Sequence, residues 1–477
     1  MKNVPNANSS ISWWGIGLSI LAANIGYYNI HTGASMGYTK GLAFGSFEWT
    51  AILVMIGVLL FVFPILMSTG VKTTPEYLGL RFNSFTRKTV AIVMVFLNVF
   101  VVMVPILYFA SIDLTKWYGL SHNFWLVIFV VLITAMLISN NMLLLMRINI
   151  IMIVLMFVTG IIIMFYCFYI VGGIDEFARL GAPRINAFLP AEDDMLPWHS
   201  VVFGGLWIAH AYFWGFNPYI QQFILSAETL TKAQFGFLLA ATLKLIVPFI
   251  VIVPGITLYI MKGDHFFEDT QLAFSYFITD ILPSKFSGVV LIVFLSTMLS
   301  TFSSVSYSAI NIILNDIIPK SNVTEKEKTS SYRIIFVLLM IVSLIGAYFF
   351  EPIGKQGLHQ YNQIIMNSIT PTIIVIFGLG LFFKRTTSIA ANTALIIALP
   401  LFILLSYLFP QMDRLNLGGL IFLTQGFIMI LLSYMLPDKN QKKVFMAKEI
   451  RFERHLLVIT WSIILVTLMM SIYVILY

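Results

Sequence analysis

The sequence predicts an all-α polytopic membrane protein built on a 5+5 inverted repeat, and three observations predict it. Hydrophobic residues make up 59% of the 477 and charged residues 10%, where soluble domains carry about a quarter charged residues. Windows of roughly 20 apolar residues, each long enough to cross a hydrocarbon core of roughly 30 Å as a helix, recur along the whole length. Two of these windows, five apart, are interrupted in their middles by polar residues and glycine. The mean hydropathy of +0.92 agrees with the first two observations.

About thirteen transmembrane helices are expected, in the following order. The first, 13 to 34, reads SILAANIGYYNIHTG over 19 to 33, with Asn24, Gly26 and Asn29 in its middle. Lys2, the apolar run from Ile11 and the small Ala22 and Ala23 give its start the look of a signal peptide, but twelve further spans argue against a cleaved leader. The second span, 42 to 68, carries Glu48; the third, fourth and fifth cover 88 to 112, 123 to 140 and 148 to 171. The sixth, 199 to 225, reads GLWIAHAYFWGFNPY over 205 to 219, where Pro218 removes a backbone donor and crowds the preceding turn, so a break is expected there. The seventh, 235 to 261, holds Lys244 in TLKLIVP, and the eighth, 286 to 317, contains the hydroxyl-rich FLSTMLSTFSSVSYS at 294 to 308. Spans at 331 to 350, 360 to 383, 388 to 409, 417 to 436 and 455 to 477 complete the set.

Irregular backbone at membrane depth is tolerated only inside protein or around a cavity. Interruptions in the first and sixth spans therefore fit an inverted repeat whose first helix is broken in each half, with a substrate near the midplane. The repeats would run over 13–171 and 199–383, leaving 388–477 as three peripheral helices in a single transporter domain. The same asparagines and glycines could instead only tighten helix packing.

Lys and Arg are enriched in cytoplasmic loops. With the N-terminus inside, the inner segments hold 19 of them and the outer segments 8, Lys244 completing the 28. This predicts a plasma or inner membrane protein with a cytoplasmic N-terminus and an outside C-terminus. The net charge of +7 lies in those inner loops and implies contact with anionic lipid, not nucleic acid. Cys167 is the one cysteine, so neither a disulfide nor a thiolate metal site forms within one chain. Of the loops, Glu192, Asp193 and Asp194 read as a solvated face, 266 to 282 as a short helix, and 438 to 455 as an amphipathic helix on the inner surface.

Thr297, Ser300 and Thr301 lie three or four residues apart and share one helix face. Such hydroxyls could join carbonyls freed near Ala22 and Ile25 to hold a hard monovalent cation, or could bond back to their own preceding turn. Lys244 is too deep to snorkel easily. Glu48 sits about six residues, roughly 9 Å, from the outer end of its span, and Lys244 about nine residues, roughly 14 Å, from the inner end of its own. In a 30 Å core this leaves roughly 7 Å of depth between them, which two long side chains cover. A polar cavity accounts for both residues; a lysine that gives up its proton is the alternative.

From Trp13 to about Thr387 the sequence resembles the sodium/solute symporter family, and within it the sodium/sugar branch of sodium/galactose and sodium/glucose cotransporters. The motifs are WWGIGLSILAANI, GLAFGSFEW, TTPEYLGLRF, GGLWIAHAYFWGFNPYIQQ, LKLIVPFIVIVPG and GLGLFFKRTT. The resemblance implies the LeuT-type fold, alternating access, and sodium as the coupling ion, with no other cofactor. It implies sodium at the carbonyls of Ala22 and Ile25 and the hydroxyls of Thr297, Ser300 and Thr301. It implies a sugar pocket in which Glu48, Lys244, Gln363 and Trp214 match the family. Four pocket positions depart from it: Asn29 for a glutamine, His210 for an asparagine, Ala51 for a serine and Phe213 for a tyrosine. Asn149 replaces an acidic residue near the ion path, and Asn140, Asn141 and Met142 stand where a Gly-Gly-Leu signature is usual. Many relatives carry one further helix before the first repeat, which this sequence does not show.

Carboxylate, ammonium and amide groups together suit a ring of hydroxyls, so a neutral sugar or polyol is the expected substrate. A carboxylate or amino acid is the near alternative. A proton as coupling ion is disfavoured, because the ion site holds no titratable group. An enzyme is not expected: His31 and His210 are the histidines placed in the interior of spans, and neither has an acid beside it in sequence. A sensor would often carry an appended signalling domain, and no obligate protein partner is evident.

Overall fold

The computed structural model describes residues 12–137, 142–193, 195–319, 324–350, 358–437 and 455–476. Among them the regular structure is helical, with one isolated β-bridge between Leu189 and Pro197. Ten of these helices are long and apolar enough to cross a membrane, so the chain is a multi-pass membrane protein. His122–Leu137 adds a shorter apolar helix. The two interrupted windows appear as helix pairs, Trp13–Asn24 with Tyr27–Thr39 and Leu206–Gly215 with Pro218–Leu225.

The first break follows from its hydrogen bonds. In a continuous helix the Gly26 amide would bond the Ala22 carbonyl and the Asn29 amide that of Ile25; here they bond Asn24 and Gly26 instead, at 3.1 and 3.2 Å. The second break falls at Phe216 and Asn217. Pro218 opens the new half-helix, where a missing amide costs nothing, and the Asn217 side chain caps it by accepting from the Tyr219 amide. Gln221 Nε2 donates to the Trp214 carbonyl at 2.8 Å, so the end of the first half is satisfied by the start of the second.

A third break was not expected. The seventh span bends at Leu245 and Ile246, directly after Lys244, between the helices Leu230–Lys244 and Val247–Lys262. The carbonyl of Lys244 has no donor four residues on, because Pro248 has no N–H. Trp49 Nε1 takes up the neighbouring Leu245 carbonyl at 3.2 Å.

The half-helix Tyr27–Thr39 packs along Val247–Lys262 so closely that a Cβ on Gly255 would stand 2.0 Å from the Ala34 carbonyl oxygen. The late helices Ser388–Leu408 and Arg414–Met435 are different: Ile396 and Leu423 are 66% and 67% exposed, as suits a lipid-facing surface. The last helix, Leu456–Ile475, leans on the second and seventh spans, with Tyr473 bonding Ser46 at 2.9 Å and Trp461 bonding Thr242 at 3.0 Å.

The loops depart from expectation in one respect. Asp193 is not a solvated face: it accepts a hydrogen bond from Lys40 at 2.6 Å and from the amides of Met195 and Leu196, while Glu192 is exposed. The short helix expected within 266 to 282 is present across Thr270–Leu272, Ala273–Tyr276 and Phe277–Ile281. The amphipathic helix expected over 438 to 455, and Asp194, Asn140 and Asn141, lie outside the described residues apart from His455.

Candidate functional site

A cavity of about 220 Å³ lies between the two broken spans. It is several times the roughly 30 Å³ one water occupies in the liquid. Asn24, Gly26 and Asn29 line it from the first break, and His210, Phe213, Trp214 and Asn217 from the second.

Lys244 is 1% exposed and holds three partners from three different spans. Its ammonium donates to the Glu48 carboxylate and to Asn24 Oδ1 at 3.2 Å, and lies 4.5 Å from the centre of the Trp214 ring. Glu48 is further held by Asn29 Nδ2 at 3.0 Å. The pair supplies charge of both signs without leaving either one alone in a low dielectric.

His210 reaches Thr50 Oγ at 2.9 Å. The Thr50 hydroxyl spends its one proton on the Ser46 carbonyl at 2.6 Å, so His210 Nε2 donates and Nδ1 is left as the acceptor. Gln363 lines the cavity with its carbonyl oxygen occupied by Asn367 Nδ2 at 2.8 Å, which leaves its amide hydrogens to donate. Phe213 lines the wall and packs edge-on against Trp214 and Tyr219. Ala51 is buried but does not line the cavity; its neighbour Thr50 reaches the site through His210.

Beside the first break, Thr297, Ser300 and Thr301 are buried. Ser300 Oγ is 3.1 Å from the Ala22 carbonyl and 2.9 Å from Asn149 Oδ1, and Asn149 Nδ2 donates to Ser304 at 3.1 Å. Thr301 Oγ has no hydrogen-bond partner, and a Cβ on Gly26 would stand 2.0 Å from it. Thr297 bonds back to the Phe294 carbonyl at 3.0 Å, the ordinary alternative for a hydroxyl in a helix. Where the helix unwinds, the Ala22 carbonyl is thus released from its own helix and held by Ser300, and the Thr301 hydroxyl beside Gly26 is unpartnered; neutral oxygens of this kind suit a hard monovalent cation. Asn149 supplies an amide oxygen there and no charge.

Several lining residues escaped the sequence reading. Tyr28, Asn98 and Asn362 all face the cavity. Asn98 is 2% exposed with Nδ2 unpartnered and opens a π-helical turn, Asn98–Met103, in the third span. The signal available was a lone amide in the run VFLNVFVVM, and π-turns recur at functional sites. Tyr28 bonds His359 Nδ1 at 2.8 Å, and His359, which sequence spacing set outside the spans, begins the helix His359–Phe382.

A model of the sodium:solute symporter family matches residues 6–398. A sodium/glucose cotransporter of Vibrio parahaemolyticus is 28% identical over 442 residues, 86% of this chain and 80% of its own length. Sodium/glucose cotransporter 1 of Oryctolagus cuniculus and sodium/myo-inositol cotransporter 2 of Sus scrofa are each 26% identical, over 82% and 85% of this chain. The chain spans 65% and 66% of those two proteins. A solved structure of a sodium-coupled sialic acid symporter in a substrate-bound, outward-open state superposes with a TM-score of 0.80 at 17% identity, covering 90% of this chain and 91% of that one. That likeness carries the LeuT-type fold, and the relatives are transporters by name, in keeping with a chain that is no enzyme. With the family model matched across most of the sequence, this chain belongs to the sodium:solute symporter family.

Proposed function

We propose that the protein is a sodium-coupled symporter that imports a neutral sugar or polyol by alternating access. The observation that carries this reading is the Glu48–Lys244 pair, joined by Asn24 and Asn29, on the wall of a cavity between two broken spans. Hydroxyls both donate and accept, so they match a wall where carboxylate, ammonium, imidazole and amide groups alternate. A substrate with a full negative charge meets Glu48, which counts against a carboxylate.

In this reading Glu48, Lys244, Asn29, His210 and Gln363 bind the substrate's hydroxyls, and Phe213 and Trp214 pack its apolar face. Sodium occupies the carbonyls of Ala22 and Ile25 and the hydroxyls of Thr297, Ser300 and Thr301. Residues 13–171 and 199–383 form the two repeats, 388–477 add three helices, and the N-terminus is cytoplasmic with the C-terminus outside.

Uptake of a panel of labelled sugars and polyols into proteoliposomes, with sodium or choline outside, tests the proposal. Uptake of at least one neutral solute that needs sodium is the expected result. Accumulation of amino acids or carboxylates in its place would overturn the substrate class, and uptake indifferent to sodium would overturn the coupling.

A further inference from the structure

Asp113, on the third span, belongs to neither the cavity nor the hydroxyl face of the eighth span. It is 2% exposed and accepts three hydrogen bonds: from Tyr27 at 2.8 Å and His31 Nδ1 at 2.9 Å on one oxygen, and from Ser275 at 2.6 Å on the other. His31 is 3% exposed, and its second ring nitrogen, Nε2, is buried with no hydrogen-bond partner. The imidazole stacks on Tyr27 with ring centres 5.2 Å apart and is bounded by Phe109 and Phe274. None of Tyr27, His31, Asp113 and Ser275 lines the cavity.

The chemistry of this group selects its ligand. The side chains around the carboxylate all turn donors toward it, which is wrong for a metal cation. Imidazole is the side chain that exchanges a proton in the physiological range. A proton on His31 turns a buried net negative charge into a neutral ion pair and sets a cationic ring against the Tyr27 face.

The surroundings offer little competition for that proton. The third span contributes Asp113 and Phe109 and carries Lys116, which is exposed; Ser111 on that span binds His122 at 2.7 Å. The short helix contributes Ser275 and Phe274, and the eighth span Phe294, against Tyr27. On the seventh span, Lys262 lies over the rings of Phe266 and Tyr276, and Tyr259 under Arg184.

We infer that His31 and Asp113 form a proton-binding site, separate from the substrate and sodium sites, whose occupancy is linked to movement of the second half of the first broken span. Tyr27 and His31 sit on the half-helix Tyr27–Thr39, while Asp113 and Ser275 sit on two other elements. The same half-helix brings Tyr28 and Asn29 to the cavity. Any shift of it relative to the third span separates both donors from the carboxylate. Proton affinity then differs between the two arrangements, and by reciprocity the proton biases which arrangement is populated.

The inference rests on the transport reading, and two measurements on the full chain keep the two apart. The first is uptake of radioactive sodium into proteoliposomes in the presence of the sugar and polyol panel, at external pH from about 5 to 8, the range over which imidazoles change charge. Wild type is expected to show one ionisation in this profile, and His31→Gln and Asp113→Asn to lose it while still taking up sodium. The second is nitrogen NMR of ring-labelled histidines in lipid nanodiscs, with the His31 resonance assigned by its absence from His31→Gln. Its midpoint is expected to shift when sodium replaces choline. A pH profile that survives His31→Gln, or a His31 resonance that neither titrates nor responds to sodium, overturns the proton site. No sodium uptake by wild type at any pH overturns the transport reading, and the resonance then still decides the proton site.

Discussion

Lys244 is held from three directions: Glu48 from the second span, Asn24 from the first break and the Trp214 ring from the second. Removing one member of a buried ion pair costs about 3–5 kcal/mol, since the other is left uncompensated. Lys244→Ala is therefore expected to bring uptake to background and lower the thermal unfolding midpoint. The double change Glu48→Gln with Lys244→Met should cost less than the two single changes summed; additive costs measured by thermal unfolding would show that the two residues do not interact. At the hydroxyl face, Asn149→Asp places a carboxylate where Ser300 now meets an amide oxygen at 2.9 Å. Sodium is expected to half-saturate uptake at a several-fold lower concentration in that variant, and an unchanged sodium curve would place the ion elsewhere. Depth along two helices was enough to show from the sequence that Glu48 and Lys244 are within reach of each other, because position along a span converts directly to height in the membrane. Asp113 and His31, 82 residues apart, offered no such ruler, since sequence does not say which faces of two spans meet.

At the scale of elements, the breaks decide what the cavity is made of. Gly26 is required at the first because its missing side chain is where Thr301 packs. Overpacking of this kind costs typically ~1–3 kcal/mol, so Gly26→Ala should destabilise the protein by about that much and weaken its sodium dependence. Gly57 is the control: a Cβ there meets nothing within 4 Å, and Gly57→Ala should leave both unchanged. Equal effects of the two changes on a thermal shift assay would contradict the packing argument. Pro218 announced the second break in the sequence, and Asn24 with Gly26 the first. The bend after Lys244 went unread because Pro248 lies four residues beyond it, within a run whose apolar character is unbroken.

For the molecule as a whole, the loops that carry Arg184, Asp193 and Asp264 are fastened by charge. Arg184 joins Asp264 at 2.5 Å and the Tyr38 carbonyl at 3.0 Å, and Lys40 joins Asp193. Burial pushes the Asp193 carboxyl up, but the hydrogen bond from Lys40 and those from the Leu196 and Met195 amides outweigh it and hold the group below its usual value. A carboxyl lowered by folding adds stability that is complete above its unfolded pKa and is lost as the pH falls through the folded one. Stability is thus expected to decline on the acid side, and Asp193→Asn to flatten that decline; identical acid limbs in thermal scans of the two proteins would rule out this contribution. The partial exposure of Asp193 and Lys40 keeps the effect small.

Composition and span length by themselves determined that this chain crosses a membrane many times, because a bilayer demands apolar runs of fixed length whatever their packing. Polar interruptions five spans apart located the two broken helices for the same reason: unpaired backbone has nowhere else to go in hydrocarbon. Which side chains meet was decided only by the tertiary structure. Asn24 completing the Lys244 pair, Thr50 orienting His210, Asn98 at the cavity wall and His31 on Asp113 all depend on how helices rotate and approach. An apolar sequence leaves that rotation almost unspecified, since lipid and a neighbouring helix are equally good solvents for leucine.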